Sequence, residues 1–126
     1  MATEPKPKPL LEHWKFTVDE LLRMDEIGLF DRDHRVELID GELIRMAPVT
    51  PGHSGHVIRL NNRVLGGRLH GRALLSIHNP VQFRPMHLLQ PDVMLLCPRG
   101  DFYGTSHPTA ADVLLMIEVA DSSLEW

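Results

Sequence analysis

Cysteine is all but absent from this 126-residue sequence. Cys97 stands alone, which excludes an internal disulfide and suits a reducing compartment. Long apolar runs are missing too, and no stretch approaches the ~18–20 residues needed to span a bilayer. The first residues lack the apolar segment of a signal peptide, because Pro5, Pro7 and Pro9 alternate with charge there. A cytoplasmic protein without a membrane partner is therefore expected. An excess of positive charge is lacking as well. A formal net charge of −4 argues against holding nucleic acid by bulk electrostatics, although a locally basic groove remains compatible with it. There is no internal repeat, and Gly66-Gly67 and Gly100 lack the strand–loop–helix setting of a phosphate-binding loop.

What is present is ordinary for a soluble domain, with 43% hydrophobic and 24% charged residues, enough apolar material for one packed core. Residues 1–12 read as a disordered or extended Pro/Lys tail, since Pro-Lys-Pro-Lys-Pro favours polyproline II and offers nothing to bury. Residues 13–126 read as one domain. A helix is expected from Thr17, where Thr17-Val18-Asp19-Glu20 has capping-box spacing, and Gly28 is its stop. Arg35–Ile39 and Glu42–Met46 flank Asp40-Gly41, a strong hairpin signal because both turn positions need positive φ. Val36, Leu38, Leu43 and Ile44 are the candidates for burial there, with Glu37 on the opposite face from Val36 and Leu38. The apolar positions Val57, Leu60, Val64 and Leu65 predict a longer helix from about His53 to His70. Short strands follow at 73–77 and 81–83, Met86 to Gln90 reads as a turn, and Asp92–Leu96 is a strand. A loop over 98–112 then leads into Val113–Ala120, whose apolar run reads as a central strand buried on both faces. The element order fits a small α+β or α/β sheet with helices against it.

Two acids interrupt the strongest apolar strands. Glu118 lies inside the last one, where an ionised carboxylate is costly unless something answers its charge. Asp92 opens the other, and Pro91 before it marks the strand entry. Paired carboxylates at neighbouring strand ends would hold Mg²⁺ or Mn²⁺, and such an ion activates water and stabilises charge on phosphate. The rival reading is structural: Asp92 caps a turn and Glu118 pairs with an arginine. His53-x-x-His56 offers half of a zinc site, but no Cys/His cluster completes it and a solvent-exposed pair is the simpler account. Gly52-His53-Ser54-Gly55-His56 fails the nucleophile-elbow pattern at its last position. Arg59, Arg63 and Arg68 form either a solvated face or a basic stripe suited to a phosphate backbone.

Arg35-Val36-Glu37-Leu38-Ile39-Asp40-Gly41-Glu42-Leu43 resembles the opening hairpin of the Uma family of restriction-endonuclease-like proteins. The resemblance continues through Thr50-Pro51-Gly52-His53, Asn79-Pro80-Val81, Gln90-Pro91-Asp92-Val93 and Ile117-Glu118-Val119-Ala120-Asp121-Ser122-Ser123. It covers roughly Thr17 onward, with the motifs in the family's order. It implies an α/β (α+β) fold of the PD-(D/E)XK nuclease superfamily, a restriction-endonuclease-like mixed β-sheet flanked by helices. Asp92 and Glu118 match the metal-binding acids, and Glu37 matches an upstream glutamate of the same acidic site. His53 matches a family histidine near that site. The implied cofactor is Mg²⁺ or Mn²⁺ and the implied substrate is DNA. One departure stands out. The superfamily lysine two residues after the glutamate is replaced by Ala120, and the lysines present are Lys6, Lys8 and Lys15. In this family the lysine looks displaced onto the helix after Glu118-Val119-x-x-Ser122-Ser123, beyond Trp126, so the resemblance implies a copy incomplete at its C-terminus, with weak metal binding and impaired cleavage. The alternative is a non-catalytic binding or interaction module on the nuclease fold, with homo-oligomers forming through an exposed sheet edge.

Overall fold

The computed structural model describes residues 3–7, 10–33 and 35–120. The described residues contain the helices α1 (Val18–Glu26) and α2 (Pro51–Arg59). They also contain the strands β1 (Val36–Ile39), β2 (Glu42–Arg45), β3 (Leu74–Ile77), β4 (Val81–Phe83), β5 (His87–Leu89), β6 (Val93–Leu96) and β7 (Val113–Ile117). The motif residues Asp121, Ser122 and Ser123 lie outside the described residues, as do Met1, Ala2, Lys8 and Pro9 of the expected tail. No helix among the described residues is long and apolar enough to cross a membrane.

Local chemistry explains the first elements. The Thr17 hydroxyl accepts from the Glu20 backbone N–H, and the Glu20 carboxylate accepts in return from the Thr17 N–H at 3.0 Å. Two otherwise orphaned donors at the helix start are thereby satisfied. Asp40 and Gly41 both adopt positive φ, 48° and 74°, so the hairpin turn forms as the Asp-Gly pair predicts. Gly41 is needed for space as well as φ, because a Cβ there would stand 2.9 Å from Lys15 Cβ. The Lys15 ammonium bridges Asp40 and Glu42 beside this turn.

The strands form two antiparallel sheets, ordered β2-β1-β5-β4 and β3-β6-β7. An isolated parallel bridge joins Gln82 to Thr109. The α+β class holds, and the single mixed sheet expected is divided in two. Val18 and Leu21 of α1 pack on Leu38 and Leu88 of the first sheet. Val81 of β4 packs with Met94 and Leu96 of β6, which ties the second sheet to the first. Burying each large aliphatic side chain contributes ~1.5–3 kcal/mol.

Three expectations are corrected. Met86 to Gln90 is not all turn: His87–Leu89 forms β5, which pairs with both β1 and β4. The helix expected over His53 to His70 keeps α-geometry only to Arg59 and then runs as a π-helix over Leu60–Leu65. The Val113–Ala120 run is an edge, not a centre. β6 occupies the middle of its sheet, and Leu114 and Leu115 of β7 are exposed. An all-apolar run fixes strand length but not which of its faces the rest of the chain will cover.

Candidate metal centre

The β6–β7 ladder pairs Val93 with Ile117 and Met94 with Met116. One step further along that register, Asp92 stands opposite Glu118. Directly opposed residues on one face of an antiparallel pair have Cβ atoms ~4.5–5.5 Å apart. The two acids that looked out of place in apolar strands therefore meet, and the Glu118 carboxyl hydrogen-bonds Asp92.

Asp92 is the buried member and is fully engaged. Its Oδ2 accepts from the Val119 backbone N–H at 2.7 Å. Its Oδ1 faces His53 Nε2 at 2.8 Å and His78 Nε2 at 3.1 Å. A carboxylate only accepts, so each ring carries its proton on Nε2 in this arrangement. Burial works against the charge on Asp92. The Val119 N–H, His53 and Glu118 outweigh it and hold its carboxyl below the usual range. Glu118 moves the other way. Desolvation first, then the charge of Asp92 and the hydrogen bond to it, push Glu118 up to about 7. Glu37 adds to that rise through its own charge.

Separate parts of the chain deliver these groups. Thr50 caps α2 by accepting from the His53 N–H at 3.2 Å, and Pro51 occupies the first turn, where a missing N–H costs nothing. His53 thus sits at the positive end of α2, facing an anionic carboxylate. His78 follows β3 with φ +56°, a left-handed conformation that a histidine adopts uncommonly. Its N–H donates to the carbonyls of Pro91 and Asp92. The two imidazoles stack with centroids 6.0 Å apart and planes 22° from parallel.

Glu37 is buried, and its Oε1 accepts from the Gln90 N–H at 2.9 Å. It braces the segment that carries Pro91 and Asp92, and its field reaches Glu118. The expected alternation holds in β1, but the Glu37 face is covered too. His53, His78 and Asp92 bring ligand atoms within 4.8 Å of one another. His56, the partner suggested by His53-x-x-His56, is exposed and does not belong to that cluster. His78 was missed by sequence reasoning, and no spacing motif signals it, because a left-handed backbone and a loop closure aim it.

The cleft over these groups is open to solvent, about 280 Å³ in volume, and lined by Arg35, Thr50, His53, Asp92, Glu118 and Val119 among others. Among the described residues, Arg35 is the one Lys or Arg that lines it. Lys15, by contrast, is engaged at the β1–β2 turn.

A family model, Uma2, described as "putative restriction endonuclease", matches residues 18–125. Comparison with curated proteins and with solved structures returned no match. The chain belongs to the Uma2 family, which places it among nuclease-like proteins.

Proposed function

We propose that this Uma2 member is a metal-dependent DNA endonuclease of restriction type, acting in the cytoplasm, whose cleavage is slow because Arg35, and no lysine among the described residues, lines the cleft. The observation that carries the reading is the β6–β7 register, which sets Asp92 opposite Glu118 beneath an open cleft. The donor set fits a divalent ion: a buried ionised carboxylate, a second carboxyl beside it and imidazole nitrogens within reach. Asp92 and Glu118 would hold Mg²⁺ or Mn²⁺, with Glu37 supplying charge from behind. When bound, the ion supplies water activation and charge neutralisation at phosphate.

The chain's own groups do the rest. The Val119 N–H and the Glu37–Gln90 bond fix Asp92 and the segment before it. Glu118, whose carboxyl is pushed up to about 7, would lose its proton to solvent on serving as a ligand. Arg35 offsets phosphate charge at the cleft wall, but a guanidinium stays protonated and cannot take a proton from water as a lysine could. That difference is the reason for slow cleavage. The exposed Arg59 and Arg63 lie along and beyond α2 and suit contacts to a phosphate backbone.

Nicking of supercoiled plasmid in Mg²⁺ or Mn²⁺ tests this directly. Slow nicking that disappears in Asp92→Ala is expected. Nicking indifferent to Asp92→Ala would remove the activity from this cleft, and fast nicking lost in Asp92→Ala would refute the impairment alone. A second reading, a non-catalytic interaction module, is favoured by the exposed Leu114 and Leu115 on the edge strand β7. DNA retention with no cleavage in either metal would select it.

A further inference from the structure

The acidic pair does not account for His78. Its backbone is held left-handed at a cost of ~1–3 kcal/mol, and its ring is turned onto the same Asp92 oxygen that His53 addresses. Two imidazole nitrogens and one carboxylate oxygen then lie within 4.8 Å of one another. With metal–ligand bonds of ~2.0–2.2 Å, neighbouring donors stand ~2.8–3.1 Å apart around an octahedral ion and ~3.3–3.6 Å apart around a tetrahedral one. The His53–Asp92 and His78–Asp92 separations, 2.8 and 3.1 Å, match the octahedral edge. Donor chemistry selects the ion class. Mg²⁺ favours oxygen and keeps its waters, whereas imidazole suits borderline transition ions.

We propose that His53, His78 and Asp92 form a two-nitrogen, one-oxygen site for a divalent ion of the Zn²⁺ or Co²⁺ class, which the centre prefers over Mg²⁺. The inference rests on Asp92 being a metal ligand, as in the reading above, but not on DNA cleavage. On binding, each imidazole would offer its Nε2 lone pair to the ion and carry its proton on Nδ1. Asp92 supplies the one negative charge of the set. His53 and Asp92 line the open cleft together with Glu118 and Arg35, from which an ion would reach them.

Chelator-stripped protein, without DNA, is titrated with Zn²⁺, Co²⁺ and Mg²⁺ separately by calorimetry, with the visible absorption of bound Co²⁺ as a second readout. The expected result is Zn²⁺ and Co²⁺ binding at least 100-fold tighter than Mg²⁺ in the unaltered protein, a measurement that needs no variant. His78→Asn, whose new side chain tolerates the left-handed backbone, should weaken Zn²⁺ and Co²⁺ at least tenfold and change the Co²⁺ spectrum. His53→Gln should do the same. Comparable affinity for Mg²⁺ and Zn²⁺, or Zn²⁺ affinity unmoved in both folded variants, overturns the proposal. Plasmid nicking separates it from the endonuclease reading. Asp92-dependent nicking without a His78-dependent preference defeats only this inference, and His78-dependent Zn²⁺ binding without any nicking defeats only the enzyme.

Discussion

Asp92 and Glu118 face each other across two strand ends, and at neutral pH a single full negative charge is the arrangement they favour. Asp92 is held charged by the Val119 N–H and His53, which leaves Glu118 to retain a proton up to about 7. A carboxyl raised in the folded state binds its proton more tightly there than in the unfolded chain. Stability must then fall as pH rises from its ordinary value, 4.5, through about 7. Glu118→Gln keeps a donor toward Asp92 and removes this titration. The variant should melt above the parent at pH 8 and with it at pH 5, by about 1 kcal/mol given the solvent access of this carboxyl. Parallel melting curves at both pH values would show that Glu118 is not the titrating group. Both acids were legible in the sequence, because a charge inside an apolar strand demands an explanation. His78 was not: its ring approaches Asp92 through a left-handed φ and a closure from β3, and neither leaves a spacing pattern.

Elements were legible where a local chemical device specifies them. The Thr17–Glu20 box and the Asp40-Gly41 turn each carry their geometry in two or three residues. Gly41→Ala should test the second device. Positive φ and the approach of Lys15 Cβ together predict a loss of about 1–3 kcal/mol, read as a lower urea midpoint at unchanged slope. An unchanged midpoint would mean that the turn relaxes freely. β5 was not legible, because His87-Leu88-Leu89 is three residues long, lacks β-branching and follows a turn. Its strand character comes from two neighbours that pair with it at once. The π-helical continuation of α2 likewise leaves the apolar spacing intact while changing the turn.

At the scale of the molecule, the two sheets share one apolar interior through Val81 of β4 against Met94 and Leu96 of β6. The α1 cluster around Leu38 lies on the other part of the first sheet. If this linkage is strong, damage on either side is felt by the whole. Leu38→Ala and Met94→Ala, both at fully buried positions, should each cost about 2–5 kcal/mol and each leave a single unfolding transition. Two separate transitions in Met94→Ala would show that the sheets unfold independently. That β6 rather than β7 holds the centre was beyond the reach of hydropathy, since both runs are apolar and only the pairing order distinguishes them.

The ladder between β6 and β7 is interrupted once, where Leu95 pairs with Leu115 but Leu96 pairs with Val113. Leu114 is the unmatched residue, and it points to solvent. Removing Leu114 would let Val113 follow Leu115 in unbroken pairing and leave Glu118 opposite Asp92. A residue lost between Leu115 and Glu118 has no such slack unless the strand slides to consume the same irregularity. Length changes from the 98–112 loop up to Leu114 are thus tolerated by the acidic pair, and the bulge serves as a reserve of one residue against deletion.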